Sequence, residues 1–188
     1  RVYRSGDNGS WAIKGSEIVG GSSTRVKSAA ISDDGNIIAV SHSHETHIYR
    51  FKEQEWVKDN TLSIEQGNNF RPAVMSGDGK TLIFSSYNSS GGFNRGEIDI
   101  WKEINGEWLP LGTSSYLPFS GGPNGVNNPG YEAISDDGSV IAFTSREIVE
   151  GYQKRYIKIY EYTSSQYRNV GQIEVDDSIL LHISLAGD

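Results

Sequence analysis

Two groups of residues in this 188-residue chain have the types and spacing to do chemistry. The first is Asp33-Asp34 in AISDDGNIIAV, residues 30–40, with Asp136-Asp137 in the closely similar AISDDGSVIAF, residues 133–143. Neighbouring carboxylates can hold a hard divalent cation or share a proton as an acid–base dyad. The second is SHSHETH, which sets His42, His44 and His47 close together. Neutral imidazoles bind zinc, copper or nickel, and their protonation near pH 6 would make this edge pH-sensitive. No partner carboxylate can be placed beside them and one repeat alone carries them, so they read as solvent-exposed loop histidines. They stay the candidate metal ligands of a chain for which no metal or other cofactor is expected.

The chain can be compared with itself to decide the first case. AISDDGNIIAV aligns without a gap on VMSGDGKTLIF (74–84) and AISDDGSVIAF, and a cut-off copy, HISLAGD, closes the sequence. The repeated serines, Ser32, Ser76, Ser135 and Ser184, are 44, 59 and 49 residues apart. Asp33 becomes Gly77, and both carboxylates become Leu185 and Ala186 in the last copy, while the serine and the glycine persist. A tight turn needs a residue that accepts positive φ, and a serine hydroxyl can bond back to the turn backbone. The Asp-Asp-Gly run reads as a bend.

The elements around the bend follow from the same alignment. After each copy comes a strand ending in an aromatic, a polar turn and another aromatic: Tyr3 and Trp11, Tyr49 and Trp56, Trp101 and Trp108, Tyr160 and Tyr167. The turns KEQE, EING and TSSQ make each of the last three pairs a hairpin. Each repeat is then four short strands, as in KSAAIS, IIAVSH, THIYRF and EWVKD. No stretch offers apolar residues at three-and-four spacing over helical length. Periods near these values point to propellers. The expected fold is all-β, a β-propeller of four-stranded antiparallel blades forming part of a larger ring.

The stretch RVYRSGDNGSWAIKGSEIVGG…AAISDDGNIIAV resembles the repeats of secreted FG-GAP-like propeller proteins, with their V-x-V-Y, G-x-x-W and S-x-D-G rhythm. AISDDGSVIAFTS is similar to WD40-like blades of the TolB type. The resemblance spans nearly the whole chain and implies roughly six to eight blades in the full ring. The D-x-D-x-D-G calcium loop of many FG-GAP proteins is absent, so no calcium role is carried over.

Within residues 1–188, taken as one propeller region, the expected boundaries are two outer strands of one blade at 1–21, blades at about 22–66, 67–120 and 121–176, and the start of another at 177–188. The chain begins at Arg1 inside a strand and reads as a piece of a longer polypeptide. Composition narrows the function. A net charge of −7 and a pI near 5.1 disfavour nucleic acid, whose phosphates need a basic face. With no cysteine there is neither a disulfide nor a thiol nucleophile. No apolar run spans a bilayer, and no signal peptide is visible. No G-x-S-x-G, H-E-x-x-H or phosphate-binding loop is found.

Irregular connections carry function more often than the scaffold does. The long ones, 66–72, 86–97 and 113–131, should gather at the end opposite the Asp-Gly bends. They supply the candidate contact residues Asn69, Phe70, Arg71, Tyr87, Phe93, Arg95, Tyr116, Phe119, Asn124 and Asn127. Aromatic, amide and guanidinium groups of this kind grip a partner chain or stack on a sugar. Two sequons, at Asn8 and Asn88, are candidate glycosylation sites. The expectation is a non-catalytic structural or adhesive module of an extracellular or surface protein, binding protein chains or glycans. The alternatives are a propeller-type hydrolase or lyase with its site on the long-loop end, and an intracellular WD40-like scaffold.

Overall fold

The computed structural model describes residues 1–19, 26–42, 45–63, 69–70, 73–88, 95–112, 131–176 and 183–185. The first hairpin is β1 (Tyr3–Ser5) and β2 (Trp11–Ile13). The first complete blade is β3 (Ser28–Ile31), β4 (Ile37–Ser41), β5 (Glu45–Lys52) and β6 (Glu55–Ser63). The second has its inner strand in two pieces, β7 (Asn69–Phe70) and β8 (Val74–Met75), followed by β9 (Thr81–Asn88), β10 (Arg95–Ile104) and β11 (Glu107–Gly112). The third is β12 (Glu132–Ile134), β13 (Val140–Val149), β14 (Tyr152–Thr163) and β15 (Gln166–Val175). Every blade is an antiparallel meander in chain order, as its short turns require.

The sequence repeat is also a conformational repeat. The three outer hairpins turn through two residues at positive φ, Glu53-Gln54, Asn105-Gly106 and Ser164-Ser165, the geometry that matches strand twist. Each outer strand pair also shifts register at one equivalent place, between Ile48 and Tyr49, Ile100 and Trp101, and Ile159 and Tyr160. A bulge at that place adds twist just before the aromatic that seals the blade.

The core lies between blades rather than inside one. One cluster joins Ile37, Ala39, Ile48 and Leu62 of the first blade to Ala73, Leu82, Phe84 and Trp108 of the second. Another joins Ile83, Ile98 and Ile100 to Ile134, Ile141, Phe143, Tyr160 and Tyr167 of the third. Strands β4, β9 and β13 are therefore apolar on both faces, because each sheet packs against a neighbour. Each such side chain contributes about 1.5–3 kcal/mol of burial. Blades in series hold one another.

The second-to-third-strand link of the third blade is no long loop but a two-residue turn at Glu150-Gly151, with ten ladder pairs running up to it. Strands β13 and β14 extend until that turn closes them.

Candidate functional site

The Asp-Gly bends are built alike. Ser32 Oγ donates to Asp34 Oδ1 (2.6 Å) and accepts from the Ile37 N–H (3.0 Å). Asp34 in turn accepts from the Asn36 N–H (2.9 Å). Ser76 and Asp78 repeat this with Thr81 and Lys80, and Ser135 and Asp137 with Val140 and Ser139. The Ser32 hydroxyl, with the Asn36 groups, holds the Asp34 carboxyl below the usual carboxylate range. The Ser139 backbone N–H does the same for Asp137. Carboxylates so engaged are acceptors fixed to a turn.

These bends also join the blades. The Asp33 N–H donates to the Gly77 carbonyl (2.9 Å), and the Asp78 N–H to the Asp136 carbonyl (2.7 Å). Gly77 stands where the first and third copies have aspartate, and a Cβ there would press on the Asp33 carboxyl and lie 3.1 Å from Asp136 Cβ. The aspartate pair is thus a rung of a backbone ladder running from blade to blade.

A second inter-blade device was not read from the sequence. The third-strand position held by Phe51, Glu103 and Tyr162 receives a cation from the preceding blade or hairpin each time. Lys14 Nζ sits 4.7 Å from the Phe51 ring centre, Arg50 Nη2 donates to Glu103 Oε2 (2.6 Å), and Lys102 Nζ sits 4.9 Å from the Tyr162 ring centre. Arg50 also donates to Asp59 Oδ2 (2.7 Å). Burial opposes the charge on Arg50, yet Asp59 and Glu103 raise its pKa above the ordinary value. Burial lowers that of Lys102. Arg50 and Lys102 occupy the same place in the alignment, and that was the signal available.

The histidines are not where the sequence suggested. His42 is 3% exposed at the end of β4, and His47 lies within β5 with its side chain 17% exposed. Neither is a solvent-exposed loop residue, because the backbone pairs straight through this segment: the His42 N–H donates to the Glu45 carbonyl (2.8 Å). Their rings lie 4.7 Å apart, and His47 Nε2 meets Glu45 Oε1 at 2.7 Å. Burial and the neighbouring His47 lower the His42 pKa. Its Nδ1 has no hydrogen-bond partner among the described residues. His44 lies outside the described residues, and no cluster of three metal-binding side chains occurs among those described.

Of the long-connection candidates, Asn69 and Phe70 form β7, Tyr87 lies in β9 and Arg95 opens β10. They are strand residues rather than loop residues, because the second sheet reaches further than its apolar core. Its register brings them together: Asn69 lies opposite Tyr87, Phe70 opposite Ser86, and Arg95 opposite Asn88. Arg71, Phe93, Tyr116, Phe119, Asn124 and Asn127 fall outside the described residues. Asn88 is the last residue of β9 and Asn8 sits in an exposed turn, where its Oδ1 accepts from the Ser10 hydroxyl (2.6 Å).

No family model matches the sequence, and no curated protein matches it. Solved structures do. The β-propeller domain of Cps50 (Swd1) from Myceliophteria thermophila superposes with a TM-score of 0.52 at 12% identity, over 80% of this chain and 44% of that one. A protein from Lactobacillus plantarum gives 0.54 at 17% identity, over 91% and 50%. A eukaryotic initiation factor gives 0.53 at 13% identity, over 92% and 36%. The fold is that of a β-propeller. The chain spans half or less of the length of these three solved structures, which is consistent with blades that form part of a larger ring. Such likeness speaks of the fold alone. Among the described residues no helix is long and apolar enough to cross a membrane.

Proposed function

We propose that this chain is a non-catalytic stretch of a β-propeller in an extracellular or surface protein, which binds another protein chain at the end opposite the Asp-Gly bends. The observation that carries the reading is the gathering of Asn69, Phe70, Tyr87 and Arg95 at one end of the second sheet. The residues best suited by type for acid–base work, Asp34, Asp78 and Asp137, are engaged in turns at the other end. Aromatic and arginine side chains supply most of the binding energy at protein interfaces. They also stack on sugar rings, which keeps a glycan as the second ligand class.

The test uses Tyr87→Ala, Arg95→Ala and Tyr116→Ala, with Asp33→Asn as the control at the opposite end. Binding to a partner co-purified with the native protein, or to an array of extracellular glycans, should fall with the first three and hold with the control. Turnover of glycoside, lactone or polyuronate substrates by the purified, folded chain would sink the non-catalytic reading. Mass spectrometry for glycan on Asn8 and Asn88 tests the extracellular assignment; bare asparagines in native eukaryotic material speak for the WD40-like scaffold.

A further inference from the structure

The third blade rises further from its bend than the others do. Strand β13 ends 14 residues past Ser135, whereas β9 ends 12 past Ser76 and β4 nine past Ser32. At about 3.4 Å per residue, β13 is longer than β4 by about 17 Å. The blade's core stops short of that. Among the described side chains, the last buried residue of β13 is Ser145, and the first of β14 is Tyr156 directly opposite. Four ladder pairs continue past them: Arg146 with Arg155, Glu147 with Lys154, Ile148 with Gln153 and Val149 with Tyr152. The Glu150-Gly151 turn closes this arm with φ of 54° and 82°, which follows the twist of its strands. The arm is held from below. Glu147 pairs with Lys158, Lys154 Nζ lies 2.9 Å from Glu174 Oε1, and β15 pairs with β14 as far as Arg155. A two-stranded ribbon beyond the core adds little to the stability of the fold. This one nevertheless keeps a fixed shape and carries Tyr152, 74% exposed, directly after its turn.

We propose that this arm is the anchor of the partner contact: Tyr152 enters an apolar pocket on the partner protein, where a hydrogen-bond acceptor receives its hydroxyl. The tip lies at the end opposite the Asp-Gly bends, since it joins the second and third strands of its blade. The inference rests on the reading that a protein binds at that end, and it moves the centre of the contact from the second blade to the third. Shape sets the class of ligand. Small ligands are enclosed by concave sites, and a projecting tip encloses nothing. What fits a convex tip is a cavity in a larger molecule, and the net charge of −7 disfavours a nucleic acid. Tyrosine suits the task, because a large ring with two rotatable bonds loses little entropy when a pocket closes on it. The ladder that carries the ring is already formed, so the partner has no loop to order. Val149, opposite Tyr152, supplies a second apolar contact at the neck of the tip.

The probe is the partner co-purified with the native protein, and the readout is its dissociation constant against purified variants. Tyr152→Ala should weaken binding roughly tenfold or more, the loss expected of a central aromatic anchor. Tyr152→Phe keeps the ring and should lose only about two- to tenfold, the share of one hydrogen bond. Glu107→Ala, an exposed position beside the Asn105-Gly106 turn at the bend end, should bind as the unaltered protein does. Because Tyr152 and Glu107 are exposed, circular dichroism and the urea midpoint should not move in any of the three, so lost binding is not lost fold. If Tyr152→Ala costs less than tenfold while Tyr87→Ala abolishes binding, the arm is not the anchor and the reading of the second blade stands. If neither substitution matters, both fail. Selection of a glycan rather than a protein at this end overturns the anchor as well, and leaves the sugar as the ligand class.

Discussion

Replacing Gly79 by alanine, with Gly35→Ala as its partner measurement, separates two demands on one turn residue. Both glycines hold left-handed backbone, with φ of 71° and 66°. An alanine there costs about 1–2 kcal/mol in either copy. At Gly35 the new methyl would meet only the end of the Lys14 side chain, at 3.5 Å. At Gly79 it would lie 2.7 Å from Ile37 Cδ1 and 3.0 Å from Ser32 Cβ, both on the preceding blade. Overpacking of that kind adds about 1–3 kcal/mol. Gly35→Ala should therefore lose about 1–2 kcal/mol and Gly79→Ala about 2–5 kcal/mol. With a urea slope of about 2 kcal/mol per molar, the midpoints fall by about 0.5–1 M and 1–2.5 M. Equal shifts would refute the claim that the second bend is wedged against the first blade.

Gln54→Gly, which relieves a positive φ of 67° in an exposed turn, should raise stability by about 0.5–1 kcal/mol in the same assay. Ser76→Ala removes a fully buried hydroxyl that serves both Asp78 and the Thr81 N–H, and should cost about 1–3 kcal/mol. A double-mutant cycle on Arg50 and Glu103 should return a coupling of about 1–2 kcal/mol, within the range for contacting charged pairs. For His42 the folded pKa is depressed, so its contribution is fully present above about 6.5 and is lost as pH falls below it, because the unfolded chain then takes up the proton first. The urea midpoint should drop between pH 7.5 and 5.5, and His42→Gln should flatten that slope.

Much of the scaffold could be read from the chain because the repeat supplied its own alignment. The loss of both aspartates in HISLAGD, with serine and glycine kept, marked the bend as structural, and the serine–aspartate–amide bonds show why. The outer hairpins were equally legible, since their aromatics are spaced by short polar turns. What could not be read depends on how sheets meet. His42 follows a strand and has a polar neighbourhood in sequence, yet the backbone pairing of His42 with Glu45 carries it into a buried position. Glu150-Gly151 has the composition of any connection, and ladder pairing on both sides of it makes it a tight turn. The cation received at Phe51, Glu103 and Tyr162 meets a ring twice and a carboxylate once, so the aligned Arg50 and Lys102 alone hinted at it.

The measurement that bears most directly on the whole account is a hydrogen-exchange footprint of the propeller with its bound partner. Exchange should slow at 69–70, 85–88 and 95–97 and stay unchanged at the bends 33–36, 77–80 and 136–139. Protection confined to the bends would contradict it, and would return Asp34, Asp78 and Asp137 to the place where function is sought.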